Sequence, residues 1–398
     1  MKKFSVNIPE STLESIKSKV ANFPWDEVDM PEDGGWVYGT NKDYLKELCD
    51  YWIKNYDWRK FEQRINRFPQ FIANVKGEDI HFIYEKGSGK NPTPLLINHG
   101  WPGSVVEFLD IIEQLAHPER FGGNEEDAFD VVAPSLPGFG FSGHIKKPMG
   151  PRAMAAILDS LMVDVLKYTH YIAQGGDWGS VVSNWLGYDH ADTCCAIHVN
   201  CAGMRHAKGP QTPEEQEWQD RLNHDQITEN GYRTQLATKP QTLAYAMADS
   251  PVGQAAWILE KFNTWSDTEG DDVESAHTKD VLLDNIMVYV VTRTFNTAGW
   301  VYYGRRIEGE SIIGEGDLER GGRVLGADGR RVEVPTACAL FPAEMLEWPP
   351  RSYCERMYNL VRWTKMDHGG HFAALENPQA LVKDIQEFGH DVAHGVFK

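Results

Sequence analysis

The 398-residue sequence has little cysteine, no long apolar run and no surplus of positive charge. Its six cysteines, Cys49, Cys194, Cys195, Cys201, Cys338 and Cys354, show no CxxC spacing and mostly sit in apolar, strand-like runs. They read as reduced core thiols of a cytosolic protein. No stretch of about 18 apolar residues occurs, and polar Asn7 and Pro9 interrupt the N-terminus before a signal core could form. The expectation is a soluble, cytoplasmic chain with no membrane anchor. Lys and Arg number 39 against 58 Asp and Glu, a net charge of −19. Nucleic acid and anionic membranes both need a basic face, so neither is expected as a partner. G-x-S-x-G is also missing, which removes the serine esterases.

What is present is organised around Tyr171-Ile172-Ala173-Gln174-Gly175-Gly176-Asp177-Trp178-Gly179-Ser180. An apolar strand-type run meets a glycine turn and then a helical pattern. Small residues two before and two after a central residue describe a nucleophile elbow, a strand-to-helix turn so sharp that only glycine tolerates the backbone approach. The central residue here is aspartate, not serine. A carboxylate is suited to displacing a leaving group from saturated carbon, which leaves an alkyl ester that water must cleave.

At this length a large α/β domain with an insertion or second domain is expected. Residues 1–75 read as a polar, aromatic-rich helical meander, with Leu13, Ile16 and Val20 on one helical face and Leu45, Leu48 and Trp52 on another. Residues 76–202 read as the first part of an α/β core, a parallel sheet with helices on both faces. Within it, Pro94 to Asn98 is a buried strand ending in His99-Gly100-Trp101-Pro102-Gly103, a loop placed to build an oxyanion hole from the N–H groups of Trp101 and Trp178. His99 more often fixes such a loop than acts as a base. The later Gly138-Phe139-Gly140-Phe141-Ser142-Gly143 is formally G-x-G-x-x-G, but it leads into His144 to Pro148 and not into a helix, so no dinucleotide is expected there. Residues 203–330 read as a helical cap without sheet strands, closed by a glycine- and charge-rich connection from Gly309 to Arg331. Residues 331–398 return to the core, with Val332 to Leu340 as a strand.

Three residues then stand just past sheet strands: Asp177, Glu344 and His371. Nucleophile, acid, histidine is the α/β-hydrolase order. His371 would draw a proton from water and Glu344 would hold the imidazole, with Glu347 and His368 as the competing candidates.

These motifs resemble the epoxide hydrolases of the α/β-hydrolase fold, nearest to the microsomal type and its soluble fungal and bacterial relatives. The resemblance spans nearly the whole chain and includes His99 to Gly103, Gly175 to Gly179, Ala237-Thr238-Lys239-Pro240, Asp249 to Gly253, Phe341-Pro342-Ala343-Glu344 and Gly370 to Glu376. It implies two cap tyrosines that bind the substrate's epoxide oxygen, matching Tyr232 and Tyr302, with Tyr303 adjacent to the second. Trp101 joins them against a small-molecule epoxide. The implied reaction is hydration to a vicinal diol through an ester on Asp177, with no metal or organic cofactor. A haloalkane dehalogenase would use the same aspartate but has no use for paired phenols, and a non-catalytic ligand-binding relative would be expected to have lost part of the triad. The Gly309 to Arg331 connection is longer than the family leads one to expect. A homodimer is left open.

Overall fold

The computed structural model describes residues 1–31, 34–143, 145–313, 324–326 and 328–397, with the backbone alone at 225–226 and 309–313. The strands in chain order are β1 (Lys2–Phe4), β2 (Gln70–Val75), β3 (Glu78–Glu85), β4 (Thr93–Asn98), β5 (Phe129–Pro134), β6 (Tyr171–Gly175), β7 (Cys194–Val199), β8 (Arg205–His206), β9 (Val324–Leu325), β10 (Val332–Leu340) and β11 (Tyr358–Lys365). Nine of them form one sheet in the order β1-β2-β3-β5-β4-β6-β7-β10-β11. The three pairings at the β1 edge are antiparallel and the rest are parallel. Strands buried on both faces read as continuous apolar runs, and β5 and β6 are buried at every residue.

The first 75 residues contribute more than helices. The sheet begins with β1, a three-residue edge strand paired to β2. The helices Lys42–Lys54 and Trp58–Ile65 are capped by Asn41 and Asp57 side chains and bury Leu45, Leu48, Trp52, Trp58, Phe61 and Ile65. This segment is tied to residues above the sheet. Tyr56 Oη donates to Asp284 Oδ1 at 2.8 Å, and Thr40 Oγ1 donates to the Ala256 carbonyl at 2.5 Å.

Between β8 and β9 run the helices Pro213–Glu229, Gly231–Thr238, Pro240–Asp249, Pro251–Trp265, Lys279–Thr292 and Phe295–Ile313. Three open on proline in the first turn, where a missing N–H costs nothing. Two features differ from the sequence reading. A two-residue parallel ladder, Arg205↔Val324 and His206↔Leu325, joins the start and end of this helical region, which was expected to hold no strands. The helix that begins at Phe295 continues to Ile313, so the stretch read as a connection from Gly309 is helical at its start. Much of the remainder, 314–323 and 327, lies outside the described residues, as does His144. Among the described residues no helix is long and apolar enough to cross a membrane.

Candidate active site

At the carboxyl end of β6 the chain passes through Gly176 into the helix Asp177–Asp189, with Asp177 at φ +44°. A left-handed φ at a non-glycine residue costs on the order of 1–3 kcal/mol, so surrounding contacts must hold it. They leave no room to relax. A Cβ on Gly175 would meet the Gly179 backbone at 2.2 Å, and one on Gly179 would meet the Asn98 carbonyl oxygen at 1.9 Å. The elbow therefore needs its flanking glycines for close approach.

Asp177 Oδ1 accepts the Trp101 N–H at 2.7 Å. A Cβ on Gly100 would lie 2.1 Å from the same oxygen, so the loop after β4 can carry only glycine there. The Trp178 N–H, in the first helical turn, has no hydrogen-bond partner among the described residues. Across the carboxylate, His371 Nε2 stands 3.4 Å from Oδ2. His371 Nδ1 lies 2.8 Å from Glu344 Oε1 and 3.1 Å from Oε2. Burial alone would depress this histidine, but the carboxylates of Glu344 and Asp177 outweigh it and raise its pKa well above the usual value.

The competing residues lie elsewhere. Glu347 is spent on Arg221 at 2.7 Å, and exposed His368 binds Asp367 and Asn377. His99 Nε2 accepts the Leu136 N–H at 3.1 Å, and burial pushes the ring down to about 4, so it is a neutral brace for its loop.

The helices above the sheet supply the facing wall. Tyr232 stacks on Trp101 with ring centres 5.1 Å apart, and Tyr302 meets Trp178 edge-on at 4.8 Å and Tyr232 at 5.7 Å. Tyr302 is 2% exposed, and burial raises its phenol well above the usual range, which keeps it protonated. Tyr303 lies under the Arg306 guanidinium, which is 4.8 Å from the tyrosine ring centre.

This geometry can be set beside known proteins. Residues 1–108 match the family described as "Epoxide hydrolase N terminus", and residues 93–271 match the alpha/beta hydrolase fold. Epoxide hydrolase 1 of Sus scrofa is 33% identical over 413 residues, which cover 97% of this chain and 87% of that protein. The chain belongs to the epoxide hydrolases. Among solved structures, the Aspergillus niger epoxide hydrolase superposes with a TM-score of 0.81 at 30% identity, covering 98% of this chain and 96% of the other. The juvenile hormone epoxide hydrolase of the silkworm Bombyx mori superposes at 0.85 with 27% identity, covering 99% and 95%.

In this epoxide hydrolase a narrow cavity of about 20 Å³ opens on Asp177, Trp178, Tyr232, Arg233, Tyr302 and Met345. Several residues around it carried no sequence signal. Lys261, 4% exposed, holds its ammonium 4.6 Å from the centre of the Tyr232 ring. Glu107 folds back over Gly103, and burial pushes it up to about 8. Glu376 accepts three backbone N–H groups, from Asp267 at 2.6 Å, Phe372 at 2.8 Å and Gly370 at 2.9 Å, which bracket His371. Its place in Gly370 to Glu376 was the one visible hint. Cys201, Glu344 and His371 bring donor atoms within 4.8 Å of one another, as a metal site would need. Burial keeps the Cys201 thiol protonated, however, and the other two are bonded together.

Proposed function

We propose that this epoxide hydrolase turns an epoxide and water into a vicinal diol through an alkyl ester on Asp177. The observation that carries the reading is the division of the Asp177 carboxylate. One oxygen is held by the Trp101 N–H at 2.7 Å and the other stands 3.4 Å from His371 Nε2. In the first step Oδ2 attacks an oxirane carbon, the carbon–oxygen bond breaks, and Tyr232 and Tyr302 hold the departing alkoxide while one of them protonates it. A phenol with a pKa near or above 10 stays protonated at neutral pH yet yields its proton to a strongly basic alkoxide. The imidazolium of His371 restores that proton.

Once esterified, Asp177 no longer carries charge, and His371 loses one of the two carboxylates that kept it protonated. The neutral imidazole, oriented by Glu344, then takes a proton from water as the oxygen adds to the ester carbonyl. Oxyanion charge forms on Oδ1, toward the N–H groups of Trp101 and Trp178. Collapse returns a carboxylic acid whose proton goes to the departing diol oxygen, and His371 keeps the proton from water, which recreates the starting pair. Paired phenols suit an alkoxide leaving group and have no such role for a halide. The same reading extends to a cytoplasmic protein, where its six free cysteines stay reduced.

The test is a single turnover of styrene oxide in oxygen-18 water. An unlabelled first diol with label gained in the Asp177 peptide is expected. Label in the first diol would mean direct hydration and would sink the ester route.

A further inference from the structure

Arg233 follows Tyr232 on the helix Gly231–Thr238 and lines the same cavity as Asp177 and Tyr302. Consecutive helical residues project about 100° apart, so both can border one cavity from neighbouring walls. Its Nε donates to Asn230 Oδ1 at 2.6 Å, which pins the side chain. No carboxylate lies within ion-pair distance of it among the described residues. Arg59, Arg64, Arg152, Arg221 and Arg362, by contrast, each have a carboxylate at 2.7 Å or closer.

A second guanidinium reinforces the first. Arg205 is buried, donates to the Ala202 and Met204 carbonyls at 2.7 and 2.8 Å, and lies over the Trp218 ring without an acid partner among the described residues. Burial lowers its pKa, and the charge of Arg233 adds to that, so the two cations sense each other, and neither has a carboxylate within 4 Å among the described residues. A partly buried cation with no carboxylate bonded to it is costly, and a ligand carboxylate would offset that cost with charge-assisted bonds to a planar fork.

We propose that the preferred substrates of this enzyme are epoxides bearing a carboxylate, which Arg233 binds while Tyr232 and Tyr302 hold the oxirane oxygen. The inference rests on the reading of Asp177 and the two tyrosines given above. Without Arg233, an anionic substrate should be disfavoured, since the Asp177 carboxylate and a net charge of −19 both repel it. A preference for the acid over a neutral isostere is therefore diagnostic.

The experiment compares kcat/KM for 3-phenylglycidate and its primary amide in the wild type, Arg233→Met and Arg233→Lys. The wild type should favour the acid. Arg233→Met should lower the acid-to-amide ratio about 10- to 100-fold, chiefly through KM, and Arg233→Lys should restore part of it. A wild type that turns over the amide as well as the acid overturns the proposal while leaving the ester route standing. An equal loss on both substrates in Arg233→Met also overturns it, since the arginine would then only brace its helix. If neither glycidate nor styrene oxide is turned over, the reading of the site falls with the proposal.

Discussion

His371 Nε2 lies 3.4 Å from Asp177 Oδ2 while its Nδ1 lies 2.8 Å from Glu344 Oε1, so the imidazole stands between two carboxylates. Both favour the imidazolium. In the proposed mechanism only one survives ester formation, so the base would be released by the step that creates its substrate, and the two half-reactions should be separable by mutation.

His371→Gln should leave ring opening largely intact and slow ester hydrolysis by about 100-fold or more. Intact-protein mass spectrometry after mixing with epoxide should show a persistent adduct of one substrate mass on the peptide containing Asp177. Continued turnover with no adduct would assign the base elsewhere.

Tyr232→Phe and Tyr302→Phe each remove one donor to the developing alkoxide, worth roughly 10- to 100-fold in the rate of ring opening. The double variant should be slower than either. Trp101 and Trp178 touch these rings, so a quench of tryptophan fluorescence on mixing is expected to report the step. An unchanged quench rate in both single variants would remove the phenols from the mechanism.

Glu376 gathers the N–H groups of Gly370, Phe372 and Asp267, and Gly369 donates to Asp267 Oδ2 at 2.7 Å. The carboxylate thus joins the histidine loop to the end of the helix Pro251–Trp265, whose Trp265 carbonyl accepts the His371 N–H at 2.9 Å. Glu376→Gln sets an amide N–H against a backbone donor and should cost about 1–3 kcal/mol of stability. It should slow ester hydrolysis more than ring opening. Equal slowing of both steps would make Glu376 a general structural support and not a positioning residue for His371.

Asp284 joins the N-terminal segment to the helix Lys279–Thr292 through Tyr56 and, at 3.6 Å, Arg64. Burial pushes its carboxyl up to about 7 from 3.8. The unfolded chain gives up this proton near pH 4 and the folded chain keeps it to about 7. Stability from the group is therefore full below the unfolded value and is lost as pH rises through 7, by a few kcal/mol. Asp284→Asn cannot ionise, so its stability relative to the wild type should rise between pH 5 and pH 8 in urea unfolding. A gap that does not move with pH would show that Asp284 is already ionised at pH 5.

Much of the site was legible because short-range sterics wrote it. The spacing of Gly175, Asp177 and Gly179 follows from backbones that approach too closely for a Cβ, and the apolar runs of β4, β5, β6 and β7 follow from burial on both faces. The edge strand β1 left no such trace, since three residues with two exposed lysines carry no alternation to detect.

The sequence alone determined the elbow, the carboxylate at its centre and the order of the three residues past the strands, since each depends on residues adjacent in the chain. Only the tertiary structure sets Glu344, and not Glu347, against His371, brings His371, and not His368, beside Asp177, and lines the cavity with Tyr302. It also brought Lys261 to Tyr232, Glu376 to the histidine loop and Arg233 to the cavity. Those outcomes depend on which helix face turns inward when distant segments pack, and neither a helical period nor a motif records that direction.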